Sequence, residues 1–162
     1  MTMSNAERHT VAVIMQRAQV QQGPWSVPSW SATSVVAGEH LVGKGAGCTL
    51  VHEDEGDAQF LWSGMTLELY RDQAEAYWYN LTSDSPSLFV ICHESPEGAL
   101  TPFQVTADRD SAAVCLESDD QVFALPVPPE IYQALEQFVV QHFVPEERKK
   151  RKRKNWSESP ER

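Results

Sequence analysis

Phe60–Glu94, FLWSGMTLELYRDQAEAYWYNLTSDSPSLFVICHE, holds most of the chain's apolar alternation and leaves only short links between its apolar runs. Leu67 and Leu69 alternate with Glu68 and Tyr70, the period of two that marks a strand with one buried face. Ser63-Gly64 reads as a turn after Phe60-Leu61-Trp62. Ala76–Leu81 is rich in aromatics, which favour strands, and Thr82–Pro86 is a turn by composition. Leu88–Cys92 is a continuous apolar run of the kind that fills a strand buried on both faces. Links this short exclude parallel crossovers, which need about a dozen residues or more. The centre therefore predicts an antiparallel meander.

On either side the signals are plainer. Residues 1–9 read as a disordered N-terminus, followed by a single domain over 10–145 and a disordered basic tail over 146–162. Thr10–Arg17 predicts a first strand on its β-branched Val11, Val13 and Ile14, and Ala18–Gly23 a polar loop. Pro24–Val36 predicts an edge or bulged strand, because its prolines cannot donate to a central ladder. Gly38–Gly56 reads as a loop, or a loop broken by a strand at Cys48–His52. Ser95–Gly98 is a turn, and Phe103–Thr106 predicts the last strand. Asp108–Glu117 fits a short helix capped by Asp108. Pro129 and Glu130 suit the first turn of a helix. Behind them Ile131, Leu135, Phe138, Val139 and His142 share one face, and Pro145 ends the helix. That face is expected to pack on the sheet. The fold class is α+β: a mostly antiparallel sheet or partly closed barrel with a C-terminal helix.

The chain's 162 residues can bury a core without disulfides or metal. Cys48, Cys92 and Cys115 are odd in number and widely spaced, fitting neither a disulfide framework nor paired zinc ligands. No apolar run approaches the ~20 residues of a membrane span, so a cytoplasmic protein is expected. The net charge of −10 conceals a split: residues 1–147 hold five basic and 21 acidic residues, and 148–162 hold eight and two. An acidic body repels phosphate backbones, while its basic end attracts them.

No intact catalytic motif emerges. Gly38–Gly45 approaches a phosphate-binding GxxxxGK[ST] loop, but Gly45 stands where a hydroxyl would hold magnesium. His52-Glu53-Asp54-Glu55 lacks the second histidine of an HExxH helix, and Cys92-His93 would point to opposite faces of a strand. Cys48 is the best placed thiol for reactivity, yet no base accompanies it in sequence. No GxSxG elbow is present. Trp62 or Trp78 is expected in the core. Trp25 and Trp30, flanked by prolines, are the aromatic candidates for a contact face. The run Arg148, Lys149, Lys150, Arg151, Lys152, Arg153 and Lys154 is the charged candidate. A protein partner is expected ahead of nucleic acid, and no metal or cofactor is expected.

Four pieces together resemble a bacterial family known as domain of unknown function 3305: VAVIMQR at 11–17, PWSVPSW at 24–30, LWSGMTLELYRDQAEAYWYNLTSDSPSLFVIC at 61–92, and VPPEIYQALEQFVVQHFVPEERKKRKRK at 127–154. The resemblance implies a gene neighbourhood of molybdenum-dependent formate dehydrogenase, and for some members a link to molybdopterin-guanine-dinucleotide biosynthesis. The glycine-rich start and the length of a nucleotidyltransferase are both missing. The expectation is a non-catalytic accessory or assembly protein for that dehydrogenase, acting by protein contact. The alternative is a small module that binds nucleic acid or a nucleotide-bearing cofactor through the basic run.

Overall fold

The architecture grows from one very long strand, β1 (Ala6–Gln22), which at 17 residues spans about 55 Å. The computed structural model describes residues 6–37, 46–116 and 120–143. β1 turns at Gly23-Pro24 into β2 (Trp25–Ala37). β3 (Gly47–Asp54) and β4 (Asp57–Tyr70) form a second hairpin. After a single 3-10 turn at Arg71–Gln73 come α1 (Ala74–Leu81), β5 (Ser87–Glu94), β6 (Leu100–Thr106), α2 (Arg109–Leu116), β7 (Gln121–Pro126) and α3 (Pro129–His142). The sheet runs β2-β1-β4-β6-β5-β7, with β3 also paired to β4. Every pairing is antiparallel except β4 with β6, which is parallel and rests on Leu67 opposite Val105. The end strands β2 and β7 lie against each other, so the mixed sheet almost closes into a barrel.

The α+β class and the C-terminal helix are as expected, but the central meander is not. Residues 74–81 are helical, and this helix separates β4 from β5. Tyr77-Trp78-Tyr79 has strand propensity, but Ala74, Tyr77 and Asn80 recur every three residues and are the buried ones. Burial of that helical face outweighs local preference. Ser63-Gly64 is not a turn either. It is a bulge inside β4, where Val13 pairs with Trp62 but Val11 pairs with Met65. The extra residue reverses the inward parity, so Trp62 and Met65, three apart, both pack on the core beside Leu67 and Leu69.

Other boundaries shift outward. β1 begins at Ala6, not Thr10, and absorbs most of the expected loop at 18–23 because β2 pairs with it out to Gln22. Of the two readings of 38–56, the one with a strand is observed, as β3. β7, not β6, is the last strand, and it forms because Gln121–Pro126 lies antiparallel along β5. The GxxxxGK-like stretch 38–45, residues 1–5 and the basic tail lie outside the described residues.

The core is lined by Val11, Val13 and Met15 of β1, Leu67 and Leu69 of β4, and Leu88 and Val90 of β5. Ser87–Cys92 is buried throughout, as a strand flanked on both sides should be. α3 adds Ile131, Leu135, Phe138 and Val139 to the same core and lies along α1, where Phe138 meets Tyr77 edge-on at 5.8 Å. Trp62 and Trp78 are only half-buried at its rim.

Asp108 caps α2 as expected, with Oδ1 accepting from the Asp110 N–H at 3.0 Å and Oδ2 from the Ser111 hydroxyl at 2.9 Å. Asp108→Ala is expected to cost about 1–2 kcal/mol in chemical denaturation, the usual range for a lost cap. A loss below ~0.3 kcal/mol would show that these two bonds contribute nothing net.

Candidate functional site

The pairing of β1 sets the geometry of Trp25, the most exposed aromatic among the described residues. β4 accompanies β1 only as far as Arg17, opposite Ala58. Beyond that, Ala18–Gln22 pairs with Trp25–Ser29 alone, as a two-stranded ribbon. On its outer face Val20 sits opposite Val27, and Gln22 opposite Trp25. Trp25 is 70% exposed and Val20 41%. Such ribbons are marginal by themselves. This one is tied back at its base by the Gln19 N–H, which donates to Asp57 Oδ1 at 2.9 Å.

Trp30 belongs elsewhere. Five residues of regular strand separate it from Trp25, which places the two on opposite faces of β2. The pair therefore does not make a single contact face. On the inner face Trp30 stacks on Phe60, with centroids 5.8 Å apart and planes at 23°. The Arg17 guanidinium lies 5.9 Å from both rings. Its Nη2 is 4.0 Å from Glu53 Oε2, and its buried Nε has no hydrogen-bond partner among the described residues. Trp30 thus anchors the ribbon, while Trp25 is free at its tip. Arg148–Lys154 lies outside the described residues.

A second surface escaped sequence reasoning. A groove of about 710 Å³ runs between α1 and α3, walled by Trp78, Leu81, Tyr132, Glu136, Val139 and Val140. Val140 is 83% exposed. Phe143, just past α3, lies with its ring 5.7 Å from that of Trp78. The missed signal was the three-residue recurrence in 74–81, which makes α1 a helix and so creates the groove.

Among the described residues the titratable groups do not assemble into a catalytic constellation. Arg8 Nε donates to Glu68 Oε2 at 2.9 Å, and the Tyr70 hydroxyl donates to Glu68 Oε1. The Tyr70 bond, then the Arg8 bond, holds the Glu68 carboxyl below its usual range, and the same carboxylate raises Tyr70. Burial pushes the Tyr77 phenol up to about 12, although its oxygen accepts from the Tyr70 N–H at 2.9 Å and donates to Gln73. Burial, then the Asp120 charge, pushes the Cys92 thiol up to about 12. Desolvation also raises Cys48, so the thiol singled out as best placed is exposed without being activated. His93 lies flat on Phe103 at 3.7 Å with Nδ1 2.7 Å from Asp120. Among the described residues no three His, Cys, Asp or Glu side chains gather as a metal ion would need, and no helix is long and apolar enough to cross a membrane.

A family model described as Protein of unknown function (DUF3305) matches residues 10–153. No curated protein and no solved structure matches the chain.

Proposed function

The chain belongs to the DUF3305 family, and we propose that it is a non-catalytic accessory or assembly protein for a molybdenum-dependent formate dehydrogenase. It acts by protein contact. The observation that carries this reading is the ribbon tip, where Trp25, Val27 and Val20 share one outer face beyond the reach of the rest of the sheet. A solvated tryptophan beside two valines on a narrow projection has what an interface anchor needs on its own side: large area and few rotatable bonds. Desolvation raises the Cys48 thiol and burial raises the Cys92 thiol above the ordinary range, so neither is activated as a nucleophile. The formate dehydrogenase assignment itself rests on the family resemblance.

The test is recovery of dehydrogenase subunits with the full-length protein from its native cells, compared with Trp25→Asp. Recovery with the native chain is expected, with about 30-fold weaker binding for the variant, the loss of a 2 kcal/mol anchor. Absence of the subunits, together with unchanged formate oxidation after gene deletion, would end this reading.

A further inference from the structure

The α1–α3 groove has a largely apolar lining that includes one carboxylate, Glu136. Trp78, Leu81, Val139 and Val140 supply its apolar lining. The two helices together carry Glu75, Glu130 and Glu136 and neither lysine nor arginine. A ligand that fits would pair an aromatic anchor with a run of cations. The chain's own residues 144–162 have that composition, with seven consecutive cations at Arg148–Lys154 and Trp156 two positions beyond.

Connectivity favours this segment over any free partner. It begins at the groove, because Phe143 is extended (φ −114°, ψ 127°) with its ring against Trp78. Trp156 lies 13 residues further on, a reach of about 43–47 Å when extended, against about 21 Å for the whole of α3. The segment can therefore turn back and lie along the full groove. A short tether gives an effective concentration in the millimolar range, so even a weak contact is populated.

We propose that the α1–α3 groove is the seat of the chain's own C-terminal segment, with Trp156 against its apolar lining and the Arg148–Lys154 run beside the Glu136 carboxylate and the acidic body around it. The contact holds the basic run on the acidic body until a competitor displaces it. It concerns the chain alone and stands whether or not the dehydrogenase reading holds.

A photo-crosslinker resolves it in the full-length purified protein. Val140→p-benzoylphenylalanine places the probe on the groove wall at a position exposed enough to leave the fold intact. Mass spectrometry after irradiation is expected to find a link to the Trp156 peptide within the same chain. The yield should fall at least about fivefold in 1 M salt, where the screening length shrinks to about 3 Å, and equally in a Trp156→Ala background. The same probe at Leu50, on β3, should give no such link. A product of twice the chain mass would mean that a second copy fills the groove. That result, the absence of a Trp156 link, or an equal yield from Leu50 would each overturn the proposal.

Discussion

Gly64→Ala is expected to remove at least about 3 kcal/mol of stability and to lower Tm by on the order of 10 °C. Two costs combine. Gly64 sits at φ +79°, where an L side chain is strained by about 1–2 kcal/mol. A Cβ built there would also lie 2.4 Å from Ala46 Cα and 2.6 Å from its nitrogen. Those are backbone atoms, so relief requires moving the start of β3 or flattening the bulge. Flattening it would turn either Trp62 or Met65 away from the core. Gly98→Ala isolates the first cost, since Gly98 has φ +93° but a Cβ there meets only Glu94 Oε2 at 3.9 Å. Unfolding free energies from urea titration should therefore differ between the two variants by at least about 1–2 kcal/mol. Equal losses would mean that the close approach of Ala46 is not part of native packing.

What the sequence disclosed divides along one physical line. Elements whose signals agree were legible. α3 has proline at its first turn, one apolar stripe and Pro145 beyond it, and β5 has an unbroken apolar run. Where two signals competed, the local one misled. Tyr77-Trp78-Tyr79 carries strand propensity, whereas the burial of Ala74, Tyr77 and Asn80 is set by tertiary packing. At Ser63-Gly64 the same glycine serves a turn or a bulge, and only the pairing of Val11 and Val13 decides. The tryptophan candidates show a third case. An interval of five already places Trp25 and Trp30 on opposite faces of a regular strand, so their separation was readable once Pro24–Val36 was taken as a strand. The α1–α3 groove was not readable, because it needs α1 as a helix and brings 74–81 beside 129–142.

The second large effect is expected at Asn80, which fixes α1 and with it one wall of that groove. Its Nδ2 donates to the carbonyls of Ser87 at 2.7 Å and Ala107 at 3.0 Å, and its Oδ1 accepts from the Ser87 N–H at 3.0 Å. The side chain is buried, so each orphaned partner costs about 1–3 kcal/mol. With partial relaxation Asn80→Ala should lose about 3–4 kcal/mol, independent of pH. Asn80→Asp separates the hydrogen bonds from simple packing. The carboxylate still accepts from Ser87 N–H, but its other oxygen faces two carbonyl oxygens that it cannot satisfy unless protonated. The folded state therefore raises this group above its unfolded value of about 3.9. A raised carboxyl binds more protons folded than unfolded, so stability falls as pH rises through this range and is regained on acidification. Relative to the native protein, Asn80→Asp should be most destabilised at pH 7 and recover toward pH 5, while Asn80→Ala stays flat. A parallel, pH-independent loss in both variants would assign the anchoring of α1 to the Tyr77–Phe138 contact instead. If the bonds do hold α1, the Val140 probe should lose its link to the Trp156 peptide in both variants under conditions where the rest of the sheet remains folded.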